Sequence, residues 1–199
     1  MYNPLRPDDK YLYFADQVIT DMQEKDLERS VVNFGALNAV KQNGLALKYI
    51  REQTPEICLA AVKQNGLVLK YVKTQTPKIC LEAVKQEGLS LKYVEKQTLE
   101  ICFEAVKQNS FALEYANIQT EEMCLEAVKK ISQAFQYVKE QTPEICLEAV
   151  KKTWSWLKYV KEQTEEACIT AIRNIGYKKA ISMVRKKYLK FKLLKYKFI

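Results

Sequence analysis

The sequence predicts an all-α protein: a right-handed α-solenoid, or superhelix, of seven 22-residue helical hairpins with N- and C-terminal caps. Two observations predict it. Gln-Thr recurs at Gln53, Gln75, Gln97, Gln119, Gln141 and Gln163, every 22 residues and without an insertion. Within each interval the apolar residues stand at helical spacing. Self-similarity at a short fixed period is the mark of stacked units, each of which buries its apolar face only against its neighbours. Read down the copies, the unit is close to Q-T-P-E-I-C-L-E-A-V-K-Q-N-G-L-A-L-K-Y-V-K-E. A degenerate copy, Val31 to Glu52, precedes these six and keeps Leu37, Ala39, Val40, Lys41, Gln42, Asn43, Gly44, Leu45, Leu47 and Tyr49. The chain therefore divides into an N-terminal cap (1–30), seven repeats (31–184) and a basic C-terminal capping helix or tail (185–199). No Pro-, Gly- or Ser-rich linker interrupts the array.

The first segment carries Pro4 and Pro7, then an apolar-aromatic stretch, Tyr11, Leu12, Tyr13, Phe14, Val18 and Ile19, broken by Asp16 and Asp21. An end repeat needs a cover with a polar outer face, which assigns this stretch to capping. In the repeats, Thr54 suits an N-cap, Pro55 sits where a missing N–H costs nothing, and Glu56 places negative charge in the first turn. Ile57, Cys58, Ala61 and Val62 follow at helical spacing. Asn65-Gly66 is expected to supply a left-handed C-terminal stop. Leu67 to Thr74 then restarts as a shorter helix, with Leu67, Leu69, Tyr71 and Val72 apolar and Lys70 and Lys73 at its polar edge. Leu67-x-Leu69-x-Tyr71 also alternates like a strand, and 22 residues falls within the range of leucine-rich repeats. That alternative lacks the L-x-x-L-x-L-x-x-N signature and suits poorly the later copies, which place Ser110, Ser132 and Trp154 at the turn.

Net charge is +8, and its placement matters more than its size. Lys178, Lys179, Arg185, Lys186, Lys187, Lys190, Lys192, Lys195 and Lys197 follow one another with no acid among them, so the body is nearly neutral. Ile181, Val184, Tyr188 and Phe191 form a stripe able to cap the last repeat. Bases interleaved with Tyr188, Phe191, Tyr196 and Phe198 equally suit phosphate contact with base stacking, an anionic membrane surface or a nuclear address. The same hydrophobes could pack on a second copy of the chain, making a homo-oligomer. No uncharged apolar run approaches the length of a bilayer span, and Met1 to Lys10 lacks a secretory apolar region. The expectation is a soluble cytoplasmic protein, with the nucleus as an alternative.

Chemistry-bearing residues fall into ladders. Cys58, Cys80, Cys102, Cys124, Cys146 and Cys168 hold one position in successive units. Stacked helices lie about 8–10 Å apart, against roughly 5.5–6 Å between the Cα atoms of a disulfide, so neighbours should not crosslink. With neither a C-x-x-C pair nor any His in the chain, no metal site is expected; buried thiols filling the seam between repeats are. Absence of His also removes the usual partner of a Cys or Ser nucleophile, and no phosphate loop, H-E-x-x-H or EF-hand spacing occurs, so neither an enzyme nor a cofactor is expected. Tyr49, Tyr71, Tyr93, Tyr115, Tyr137 and Tyr159 form a second ladder, expected to pack between hairpins with hydroxyls at the rim. Lys41, Lys63, Lys85, Lys107, Lys129, Lys151 and Arg173 form a third. Glu82, Glu104, Glu126 and Glu148 stand three residues before the matching Lys, an i,i+3 pairing that favours a solvated face over an anion-binding stripe. Trp154 and Trp156, with Phe111 and Phe135, enlarge side chains in copies four to six. They mark either local repacking or a partner-binding patch.

The core A-V-K-Q-N-G-L-A-L-K-Y, whole at Ala39 to Tyr49 and nearly so at Ala61 to Tyr71 and Ala83 to Tyr93, resembles the helical repeats of amoeba-infecting giant DNA viruses grouped as a domain of unknown function (family 4116). The resemblance covers all seven copies and implies a helical repeat fold, a viral origin acting in the host cell or viral factory, and an interaction role, with no catalytic residue. From residues and resemblance together, the expected function is a non-catalytic scaffold for protein–protein interaction. The alternative is a nucleic-acid-binding protein that uses the basic, aromatic tail.

Overall fold

Each repeat folds as an α-helix followed by a 3₁₀ helix. The computed structural model describes residues 32–184 together with Asp26, and among them no strand occurs. In chain order the elements are α1 (32–42), η1 (Gly44–Tyr49), α2 (Pro55–Gln64), η2 (Gly66–Tyr71), α3 (Pro77–Gln86), η3 (Gly88–Tyr93) and α4 (Leu99–Gln108). They continue with η4 (Ser110–Tyr115), α5 (Glu121–Lys130), η5 (Ser132–Tyr137), α6 (Pro143–Lys152), η6 (Trp154–Tyr159), α7 (Glu165–Ile175) and α8 (Tyr177–Met183). Helices α2 to α7 pack each on the next, as do η1 to η5, so the array has an α layer, a 3₁₀ layer and a continuous core between them. This is an all-α repeat solenoid. The N-terminal cap expected at 1–30, Asp26 aside, and the tail at 185–199 lie outside the described residues.

The helix starts follow from the repeat sequence. Thr54, Thr76, Thr98, Thr120, Thr142 and Thr164 are N-caps, and each hydroxyl accepts the N–H three residues on, at 3.2–3.4 Å. Pro55, Pro77 and Pro143 occupy first helical positions. The inward face repeats as well: Ile57, Cys58, Ala61 and Val62 are buried, and so are their equivalents in every later copy.

Two expectations are corrected. The return segment, expected as a shorter helix over Leu67 to Thr74, is helical, but it is a six-residue 3₁₀ helix that ends at Tyr71. A ten-residue α-helix is about 15 Å long. Six residues of 3₁₀ helix at about 2.0 Å each, plus the extended Val72, nearly match it, which six α-helical residues could not. Nor is Asn65-Gly66 a left-handed stop. Asn65 is extended, at φ −152° and ψ 108°, and its side chain accepts the Leu67 N–H at 3.0 Å to start the 3₁₀ helix. Gly66 serves close approach instead: a Cβ there would lie 2.3 Å from the Ala83 carbonyl oxygen of the next helix. Among the described residues only Gly176 has positive φ, at 79°, and it joins α7 to α8. The final return segment is α-helical rather than 3₁₀, with Ala180 and Val184 buried.

Candidate functional site

The connections that close each repeat form one edge of the array, and a glutamine side chain crosses every one. Gln97 Nε2 donates to Leu91 O at 3.3 Å in the 3₁₀ helix before it and to Tyr115 O at 2.9 Å in the 3₁₀ helix after it, while its Oε1 accepts the Asn117 N–H at 2.8 Å. Gln53 and Gln119 make the same three bonds, the latter with all three at 3.0 Å. Gln75 and Gln141 reach Tyr93 O at 2.8 Å and Tyr159 O at 3.4 Å and accept from Glu95 and Lys161 N–H. Gln163 bonds Leu157 O and, where α8 replaces the 3₁₀ helix, Met183 O. A carboxamide has two donors and a two-lone-pair acceptor; here it serves the tyrosine carbonyl and the following loop N–H, which no helix satisfies, and adds a second donor to the leucine carbonyl that the 3₁₀ cap N–H already reaches. In the sequence these glutamines mark only the register. Their recurrence before every capping threonine was the available signal.

The cysteine ladder meets this clamp. All six thiols are free and buried. The thiols of Cys58, Cys80, Cys102, Cys124 and Cys146 lie 3.3–3.9 Å from the Oε1 of the glutamine five residues earlier, within reach of an S–H···O bond. Burial pushes every thiol above its ordinary 9.0, and to about 11 at Cys124, Cys146 and Cys168. Such sulfurs stay protonated at neutral pH and are poor nucleophiles. Beside them open equivalent shallow clefts of about 220 Å³ at Gln75 and Cys80 and about 170 Å³ at Gln119 and Cys124. Lysine and glutamate line both, so neither presents a single sign of charge. Among the described residues no group of three His, Cys, Asp or Glu could hold a metal, and no helix is long and apolar enough to cross a membrane.

The tyrosines stand at the ends of the 3₁₀ helices. Tyr71, Tyr93, Tyr115 and Tyr137 are half-buried, while Tyr49 and Tyr159 are 82% and 54% exposed. The ammonium groups of Lys48, Lys70, Lys92 and Lys158 lie 4.6–5.5 Å from the ring centroid of the tyrosine that follows each. Trp156 is half-buried between Phe135 and Tyr159, at ring-centroid distances of 5.6 and 5.4 Å, whereas Trp154 is exposed. Lys41, Lys63, Lys85, Lys107, Lys129, Lys151 and Arg173 are all exposed. Glu148 pairs with Lys151 at 2.7 Å as the spacing suggests, but Glu82 pairs at 3.7 Å with Lys63 of the preceding copy. Lys178 and Lys179 are exposed on α8. Arg185, Lys186, Lys187, Lys190, Lys192, Lys195 and Lys197 lie outside the described residues.

A family model described as a domain of unknown function, DUF4116, matches residues 36–75, 76–119 and 120–164, well over half of the chain. The chain belongs to the DUF4116 family. Each matched stretch spans about two of the 22-residue copies, so a DUF4116 unit corresponds here to a stacked pair of α–3₁₀ repeats. No curated protein and no solved structure matches this DUF4116 chain.

Proposed function

We propose that this DUF4116 protein is a non-catalytic scaffold that binds a protein partner. One observation carries the reading: the copies closely repeat the buried face of the α-helix and the clamping glutamine while the outward residue of the 3₁₀ helix varies, as Leu45, Leu67, Leu89, Phe111, Gln133 and Ser155. A constant frame with a varied outer face is how stacked repeats build an extended recognition surface. The absence of His and the buried, protonated thiols support a role without catalysis. The resemblance of the core string supports the cytoplasm of a virus-infected amoeba as the setting. The test is retention of host-lysate proteins on the immobilised full chain after a high-salt wash. One specifically retained protein is the expected result, and retention of nothing beyond a control array overturns the scaffold reading.

A second reading, nucleic-acid contact through the tail, is favoured by the nine bases from Lys178 to Lys197 without an acid. It predicts oligonucleotide binding with a steep salt dependence that is lost on truncation after Val184. Truncation after Tyr177 would remove the buried Ala180 and Val184 and confound the result.

A further inference from the structure

The outward face of the 3₁₀ layer changes character along the array. In a 3₁₀ helix residues three apart are eclipsed, so the second and fifth residues of each segment lie one above the other on one face. In copies one to three these are Leu45 over Lys48, Leu67 over Lys70 and Leu89 over Lys92. The three lysines, Leu45 and Leu67 are exposed, and Leu89 is half-buried. Because η1, η2 and η3 pack side by side, the pairs form one stripe of alternating aliphatic and cationic groups. Copy four ends it by placing Glu114 at the lysine position, below Phe111, and copy five has Gln133 and Gln136. Nothing in the core requires the stripe, since these side chains lie on the face turned away from it.

We propose that this stripe binds an acidic partner segment in polyproline II conformation with an aliphatic side chain at every third residue. The proposal rests on the scaffold reading and names the chemistry of its partner. Polyproline II brings the same face round every three residues, about 9.3 Å, which matches the roughly 8–10 Å between packed helical units. The lysines select acidic residues beside each aliphatic one. A single-stranded nucleic acid fits less well. Its bases need open aromatic faces in succession, whereas beyond the exposed Tyr49 the rings of Tyr71 and Tyr93 are half-buried and each carry a lysine ammonium at 4.8 Å, and leucine offers no face for stacking.

The experiment is a fluorescence-anisotropy titration of the full chain with a labelled peptide of four Leu-Glu-Pro triplets. The comparison probes are a peptide of the same composition with its leucines out of phase and a labelled oligo-dT. Two variants borrow residues from other copies of the array, K48Q/K70Q/K92Q from Gln136 and L45S/L67S/L89S from Ser155, and circular dichroism checks their fold. Of the two peptides, the in-phase one alone is expected to bind. The lysine variant weakens it by about tenfold at low salt and removes its salt dependence. The leucine variant weakens it at every salt concentration. Equal binding of both peptides, indifference to both variants, or oligo-dT binding that the lysine variant abolishes overturns the proposal. Failure of the peptide while a host protein is still retained at high salt sinks this surface and leaves the scaffold reading standing.

Discussion

The 3₁₀ helices of the first three copies begin with Gly44, Gly66 and Gly88, and those of the next three with Ser110, Ser132 and Trp154. In the glycine copies the backbones come too close to leave room for a Cβ, which would meet the alanine carbonyl of the following helix at 2.3–2.8 Å. In the others the Cβ is present, and η4, η5 and η6 pack less extensively on α5, α6 and α7 than η1, η2 and η3 do on α2, α3 and α4. Bulkier side chains take up the difference. Phe135 replaces the usual leucine and is buried against Trp156, and Phe111 meets Tyr137 edge-on at 6.4 Å. The clamp holds at 2.8–3.0 Å to Tyr71, Tyr93, Tyr115 and Tyr137 O and lengthens to 3.4 Å at Tyr159 O, in the copy that carries Trp154. One absent methyl-sized group thus separates a tightly registered half of the array from one held by aromatic packing.

The largest way to break this contrast is Gly66→Ser, which places in copy two the residue that copies four and five carry. Its Cβ meets backbone rather than a movable side chain, so a loss of about 3 kcal/mol is expected by urea denaturation. The reverse change, Ser132→Gly, should cost about 1.5 kcal/mol, from backbone entropy and the lost hydroxyl contact. Equal costs for the two would show that the halves do not differ in packing.

Next in size is the clamp. Gln97→Ala strands the Tyr115 carbonyl and the Asn117 N–H, while Leu91 O keeps its bond from the Val94 N–H, and should cost about 2 kcal/mol, against about 1 kcal/mol for Gln141→Ala with its longer bond. Amide exchange should rise locally at Asn117 in the first variant. A smaller pair of effects differs in sign. Ser110 Oγ is buried without a hydrogen-bond partner, so Ser110→Ala should stabilise by about 1 kcal/mol. Ser132 Oγ meets Thr153 Oγ1 at 2.9 Å, so Ser132→Ala should destabilise by about as much.

The last effect is silent at neutral pH. Folded-state thiol values lie above the unfolded one, so the unfolded chain loses its thiol protons first as pH rises. Stability from this source is complete below about 9 and falls progressively towards about 11. Replacing Cys124, Cys146 and Cys168 together by Ala should flatten that alkaline decline in thermal melts. An unchanged decline would mean that other groups cause it.

The period, the threonine caps and the inward Ile, Cys, Ala and Val positions were legible in the residues, because helix starts and apolar faces are local properties of a short stretch of chain. The nature of the return segment was not. Leu67-x-Leu69-x-Tyr71 carries no periodicity that separates α-helix, 3₁₀ helix and strand, and the choice is made by the length of the neighbouring helix that it must match. The roles of Gly66 and Gln97 were hidden for a related reason. A glycine after an asparagine reads locally as a left-handed turn, yet here its missing Cβ makes room for the carbonyl of Ala83 in the next helix. A glutamine before a capping threonine reads as a polar turn residue, yet its carboxamide satisfies backbone 18 and 20 residues further on. The sequence by itself determined the unit and its repetition. Only the tertiary structure decided how closely units approach and which side chains set that approach, because both depend on atoms brought together by stacking and not on neighbours in the chain.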